Sequence, residues 1–292
     1  MEEKISKLLF FKDIGNTEEV LCYVKPGQDK HSQWKIILPR KLLKPAVKWF
    51  HLVTGHPGKK CLEITLRARY YDPEIRQDVL RYKCDACQRH KLPGKGCLLP
   101  EKDVKTQPSE EVAVDLIGPW EVKIHKKKVT FLALTIIDPV TNLTELVRVD
   151  NKTANHSARK FAQTWLSCYS WPMNYIHDNG GEFTGWEFQK LLEQCNIDDT
   201  PTTSRNPTAN TICERMHQTV GNMIRTLVHG NPSKGLKQAK DLVDESLSIA
   251  QHSMRCGVHT TLRILPRSLV FNRDMFLNIP LISEWQALIT KQ

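Results

Sequence analysis

Four residues constrain this chain more than any others. His51 and His56 flank a turn, Gly55-His56-Pro57-Gly58, and Cys84-Asp85-Ala86-Cys87 follows at the close of a helical stretch. The segments between them read as helices. Leu42, Leu43, Ala46, Val47 and Phe50 recur at three- and four-residue spacing from Pro39, in a helix that His51 ends. Residues 59–70 form a second helix, and Pro73 opens a third that carries Ile75, Val79 and Tyr82 towards Cys84. So short a helical region has too little core to be secure alone. Two imidazoles and two thiolates complete a tetrahedral Zn²⁺ shell with no open position, the structural type, and the ion then contributes folding free energy. His31 and His90 are nearby alternative ligands, but they lack the flanking pattern.

Charge is unevenly spread. Residues 1–105 hold 22 Lys/Arg against 13 Asp/Glu, whereas residues 106–292 hold 20 against 19, so the basic excess belongs to the first third. That is the distribution expected of a segment gripping a phosphate backbone, against the plainer reading of a solubilising surface. The nine cysteines are an odd number and follow no export signal, which argues against a disulfide framework and for an intracellular protein that is not secreted. The longest apolar stretch, residues 131–137, is too short to span a bilayer.

Before the first helix, residues 1–37 read as a small extension, with strands at 21–24 and 34–38 around a Pro26-Gly27 turn. Residues 38–91 make the zinc-binding domain, and the Pro/Gly/Lys-rich residues 92–109 a linker. Strands then follow. Residues 111–116 alternate, 129–137 are apolar on both faces, and 143–149 return after an Asp138-Pro139 turn. A helix carries Ala154, Ala158, Phe161, Ala162, Trp165, Leu166 and Tyr169 on one face; residues 175–177 make a strand and 186–195 a helix. The expected class is α/β: a mixed sheet flanked by helices over residues 110–272, preceded by the small all-α zinc-binding domain and followed by a tail, 273–292.

Three carboxylates stand in this second region. Asp115 lies in Val112-Ala113-Val114-Asp115-Leu116, pointing away from the face that Val112, Val114 and Leu116 bury. Asp178 ends a strand at His177-Asp178-Asn179-Gly180-Gly181-Glu182-Phe183, and Glu214 follows it with 35 residues between. Glu214 sits near the start of a long helix whose stripe is Ile212, Met216, Val220, Met223 and Leu227; Glu214, Gln218, Gly221 and Arg225 take another face. Taken singly, each is most simply a solvated charge. Brought together from distant segments, they suit a pair of divalent ions acting on a phosphodiester. Hard oxygen ligands favour Mg²⁺, with Mn²⁺ as a substitute.

The set resembles the D,D(35)E core of retroviral and long-terminal-repeat retrotransposon integrases, most closely the Ty3/gypsy type. The loop Pro207, Ala209, Asn210, Glu214 and Arg215 resembles that family's signature, and His51, His56, Cys84 and Cys87 resemble its HHCC zinc domain. The resemblance implies an RNase H-like core. It implies DNA 3′-end processing and strand transfer with Asp115, Asp178 and Glu214 as catalytic Mg²⁺ ligands, and DNA contacts from Asn210, His217, Gln218 and Arg225. It also implies element cDNA ends and host target DNA as partners, a homo-oligomer, and a nuclear site of action after a cytoplasmic particle stage. The chain departs from the family at His177, where Ser or Thr is usual, at Thr211 for Gly, at His217 for Asn, and at Asn272 for Gly. No SH3-like module or chromodomain is recognisable in residues 273–292. Two rivals follow: a domesticated or degenerate DNA- or chromatin-binding protein without catalysis, and a nuclease or DDE transposase on the same core.

Overall fold

The computed structural model describes residues 9–13, 19–27, 34–91, 107–124, 127–202, 211–229, 235–259, 264–272 and 274–276, without the side chains at 123–127, 211–215 and 229. The chain forms two compact units, residues 1–84 with 253–292, and residues 85–252. The boundary falls between Cys84 and Asp85, inside the Cys84-x-x-Cys87 motif.

In the first unit the extension is a sheet. Strands β1 (Leu9–Asp13), β2 (Glu19–Val24) and β3 (Trp34–Ile37) are antiparallel, and β3 pairs in parallel with the two-residue β4 (Tyr70–Tyr71). The two expected strands are present. The β3–β4 pairing adds a link from the extension to the end of the second helix, a long-range bond that no local pattern announces. Helices α1 (Arg40–Val53), α2 (Lys59–Arg69) and α3 (Ile75–Arg81) enclose Leu43, Val47, Phe50, Leu62, Leu66, Ile75 and Val79. Leu42, expected on the buried stripe, is instead exposed.

Of the described residues, 253–259, 264–272 and 274–276 also belong to this unit. Arg69 and Asp274 form a buried ion pair at 2.7 Å. The Arg69 guanidinium lies over the rings of Phe276, at 4.9 Å, and Phe50, at 5.7 Å, and it donates to the carbonyls of Thr65 and Cys256. A planar cation with five donors suits a place bounded by rings and carbonyls.

The second unit opens on the short helix α4 (Asp85–His90) and is otherwise built on a mixed sheet. Strands β5 (Glu111–Ile124), β6 (Lys127–Ile137), β7 (Thr144–Val149), β8 (Asn174–His177) and β9 (Asp198–Pro201) are ordered β7-β6-β5-β8-β9; the first three are antiparallel, and β8 and β9 run parallel to β5. The expected mixed sheet is present, and the α/β class holds. Strand β5 outruns its expected end at 116. Gly118-Pro119 reads as a terminator, but a bulge between Ile117 and Trp120 absorbs both residues and pairing resumes. Gly118 has φ +118°, and a Cβ there would lie 2.8 Å from the Phe131 carbonyl oxygen, so only glycine fits.

Helix α5 (Ala154–Phe161) passes into a π-helical turn, Ala162–Leu166, that still buries Phe161 and Trp165. Helices α6 (Gly181–Thr184) and α7 (Trp186–Gln194) bring Phe183 and Phe188 against Tyr175. Strand β9 was not anticipated. Its residues, Asp198-Asp199-Thr200-Pro201, are polar and exposed, and proline is tolerated only because the strand lies at the edge.

Candidate metal centres

The end of α1 shapes the first centre. The Thr54 and Gly55 amides return to the carbonyls of Phe50 and Leu52, and the His56 amide returns to His51 at 2.8 Å. Gly55 and His56 take φ values of 62° and 60°. A left-handed histidine is costly unless its surroundings demand it. Here the reversal carries the His56 ring back onto His51, with His56 Nδ1 3.1 Å from His51 Nε2. Cys84 Sγ stands 3.4 Å from His56 Nδ1. Candidate ligand atoms of His51, His56, Cys84 and Cys87 all lie within 4.8 Å of one another.

A tetrahedral Zn²⁺ shell sets adjacent ligands about 3.3 Å apart for two nitrogens and about 3.6 Å for nitrogen and sulfur. The observed spacings lie within a few tenths of an ångström of those edges, so the set fits zinc. It is the one His/Cys/Asp/Glu group of this kind among the described residues. His90 is not part of it, and His31 lies outside the described residues.

The carboxylate centre is built by register. Strands β5 and β8 pair Glu111 with Asn174, Val112 with Tyr175 and Ala113 with Ile176. Asp115 and Asp178 each follow that last bonded pair by two residues in the shared direction of the two strands. Asp115 is largely enclosed. Its Oδ1 accepts from the Leu116 amide at 2.7 Å, and its carbonyl accepts from Thr135 Oγ1 at 2.9 Å. Asp178 Oδ1 accepts from the Gly180 amide at 3.1 Å. A Cβ on Gly180 would lie 3.0 Å from both Asp178 Oδ1 and Glu182 Oε2, so that glycine leaves room for two carboxylates. Helix α8 (Thr211–His229), which bears Glu214 in its first turn, packs on β5. The Glu214 side chain lies outside the described residues.

Relatives add an independent line. The family model for the integrase zinc-binding domain matches residues 38–93. That segment is similar to integrase zinc-binding domains. Beyond it, the chain is similar to the Pro-Pol polyprotein of simian foamy virus type 3 (strain LK3), 22% identical over 245 residues and 82% of this chain. It is also similar to the Transposon Tf2-3 polyprotein of Schizosaccharomyces pombe, 23% identical over 261 residues and 85% of this chain. It spans 20% of the first relative's length and 18% of the second's. A solved simian T-cell lymphotropic virus intasome, in complex with PP2A regulatory subunit B56 gamma, contains a chain of the same fold. That chain matches with a TM-score of 0.50 and 18% identity, covering 82% of this chain and 78% of that one.

Within this integrase-like frame the remaining candidates divide. Asn210 lies outside the described residues. Gln218 is exposed on α8. Arg225 folds back along its helix, donating to Asn222 Oδ1 at 2.9 Å. His217, expected to face DNA, has its ring turned onto the sheet: Nε2 is 3.1 Å from Thr135 Oγ1 and Nδ1 is 3.8 Å from Asp115 Oδ2. Burial lowers its pKa to about 4, so the ring is neutral near pH 7. Leu116 is only half-buried, while Ala113, on the Asp115 side of β5, is fully buried, so both faces of that strand are covered.

Sequence reasoning missed the supports beneath Asp178. His177 is buried, with Nδ1 against the Asp178 carbonyl and Nε2 2.7 Å from Asp199 Oδ1. Gln189 donates to Asp199 Oδ2 at 3.0 Å and to the Phe183 carbonyl at 3.1 Å, tying α7, β9 and α6 together. Histidine in place of the family's Ser or Thr was the visible signal; its acidic partner lay on an unanticipated strand. The hydroxyl of buried Tyr175 is held well above its ordinary pKa by burial, then by Asp199, Asp178, Asp115 and Glu182.

Proposed function

We propose that the chain is the integrase segment of a Ty3/gypsy-like long-terminal-repeat retrotransposon, acting on the element's cDNA ends and on host target DNA. One observation supports the reading: the parallel β5–β8 pairing ends at Ala113–Ile176, two residues before Asp115 and Asp178, and the helix that bears Glu214 packs on β5. The donors are carboxylate oxygens, which fit Mg²⁺ or Mn²⁺. Asp115, Asp178 and Glu214 would hold such ions, which would supply Lewis-acid stabilisation for an in-line displacement at phosphorus.

The chain's own residues prepare the carboxylates. The Leu116 amide and Thr135 hydroxyl hold Asp115, and the Gly180 amide and the His177–Asp199 pair hold Asp178. Ligands fixed in this way need little reorganisation when charge moves during reaction. The two reactions are hydrolytic trimming of a DNA 3′ end, then attack of the freed 3′-hydroxyl on a host phosphodiester. The zinc-binding domain serves folding and assembly, as part of a homo-oligomer working in the nucleus after a cytoplasmic stage.

A disintegration assay tests the reading. The zinc-loaded chain receives a branched oligonucleotide mimicking the strand-transfer product, with Mg²⁺ or Mn²⁺, beside an Asp178→Asn control. Metal-dependent resolution that vanishes in the control is expected. The second reading, a non-catalytic DNA-binding descendant, is favoured by the departures at His177, Thr211 and His217. It requires salt-sensitive DNA binding that is indifferent to Mg²⁺ and to Asp178→Asn, with no turnover.

A further inference from the structure

Helix α1 carries two apolar rows. Leu43, Val47 and Phe50 lie in the core of the first unit. On the other side of the helix Leu42, Pro45, Trp49 and Leu52 are exposed. Leu42, Trp49 and Leu52 are 47%, 48% and 45% exposed, so nearly half of each stays in water. Trp49 meets the rings of Phe50 and Phe276 edge-on at 4.9 and 5.7 Å, which holds the indole in place. An exposed leucine by itself needs no explanation. Spacings of three, four and three residues are different. They set the four side chains in one row about 15 Å long, the seam by which one helix packs on another.

Lys41, Lys44 and Lys48 run beside that row on one flank, all exposed. The helix contains no acidic residue. Arg40 pairs with Glu74 at 2.7 Å, whereas Lys41, Lys44 and Lys48 enter no ion pair among the described residues. The flank therefore asks for negative charge and the row for apolar surface. A phosphate backbone supplies the charge but leaves Leu42, Pro45 and Leu52 in water. A second copy of the face supplies the apolar surface, yet it sets lysine against lysine, or against Ala46 and Val53, which offer no counter-charge. An amphipathic helix with an apolar stripe and Asp or Glu along its edge satisfies both demands.

We propose that this face of α1 is a docking surface for an acidic amphipathic helix of a partner protein. Leu42, Trp49 and Leu52 are the apolar anchors, and Lys41, Lys44 and Lys48 select the partner's charge. The proposal is independent of the carboxylate centre. Two helices packed in this way lie about 8–10 Å apart, within reach of a lysine side chain on one and a carboxylate on the other. The apolar row supplies most of the affinity, and the lysines supply discrimination and rate of encounter.

The test uses the zinc-loaded full chain and a fluorescein-labelled synthetic peptide of three heptads, with Leu at the first and fourth positions and Glu at the flanking ones. A matching peptide carries Lys in place of Glu. Fluorescence anisotropy is expected to show saturable binding of the Glu peptide and little of the Lys peptide. Leu42→Ser with Leu52→Ser, and separately Lys44→Glu with Lys48→Glu, should each weaken the Glu peptide roughly tenfold. The lysine-reversed chain should in turn prefer the Lys peptide, which only a folded chain can do. No saturable binding of the Glu peptide, or binding that both double variants leave unchanged, overturns the proposal. Two further outcomes overturn it if the Glu peptide stays unbound. Duplex DNA binding that falls in the lysine variant alone makes the face a phosphate contact. A dimer that dissociates in the leucine variant, read by sedimentation, assigns the face to a second copy.

Discussion

The His/Cys cluster and the proposed carboxylate centre would use metal ligands in opposite ways. In the first, four donors converge within 4.8 Å around one helix reversal and one C-x-x-C turn, enclosed and with no position left over. In the second, the donors come from β5, the end of β8 and the first turn of α8, and the sheet beneath them is already packed by Leu134, Ile136, Tyr175 and Phe183. A cluster that completes a small core should stabilise the fold, whereas one mounted on a finished core should cost stability until charge arrives to fill it. The contrast teaches that a metal centre's role can be read from what remains of the core without it.

The sharpest way to break that contrast is to remove the metal ligands one centre at a time. Chelating zinc, or Cys84→Ser, should melt the helices of residues 40–81, a loss on the order of 10 kcal/mol at neutral pH. Circular dichroism and amide exchange would register it. Asp178→Asn should leave the melting temperature unchanged or slightly raised while strand transfer drops to background. Equal destabilisation in both variants would erase the distinction.

A second, smaller effect probes what else holds the first unit together. Arg69 and Asp274 are 3% and 2% exposed. Arg69→Ala strands a buried carboxylate and should cost about 3–5 kcal/mol in urea unfolding, much of it recovered when Asp274→Leu is added. No recovery would mean that the guanidinium matters chiefly for its packing on Phe50 and Phe276.

Acid sharpens the comparison on the carboxylate side. The folded pKa of His217, about 4, lies below the 6.5 of a free imidazole. The unfolded chain therefore takes up the proton first as pH falls. The associated stability is full above pH 6.5 and is lost on the way down to pH 4, about 3 kcal/mol at most. His217→Asn should flatten that slope in pH-dependent denaturation.

Two lesser effects complete the series. Asp199→Asn weakens the partner of buried His177 and should cost about 2 kcal/mol, with a larger proportional loss in turnover than in DNA affinity. Arg40→Ala, which breaks an exposed pair with Glu74, should cost less than about 1 kcal/mol in the same denaturation series.

Legibility followed distance along the chain. The His51/His56 and Cys84/Cys87 pairs taken separately, the three helices around them and the strands on either side of Asp138 depend on spacing within one or two turns or hairpins, and periodicity exposes such spacing directly. Strand β9 escaped because its four exposed polar residues carry no burial pattern. The extent of β5 escaped because Gly118-Pro119 resembles a stop until β6 pairs across it. Leu42 escaped because its place on the α1 stripe says which face it shares and not what covers that face.

By itself, then, the sequence singled out the candidate residues: His51, His56, Cys84 and Cys87 for zinc, and Asp115, Asp178 and Glu214 as carboxylates. Residue type and spacing fix donor hardness and ligand number, and both are local properties. Only the tertiary structure decided the neighbours of those groups. It turned His217 onto Thr135 and Asp115, set His177 against Asp199, and joined Arg69 to Asp274. Each of those pairs spans 22 to 205 residues of chain. Contacts of that range follow from strand register and helix packing, which depend on the whole core settling at once.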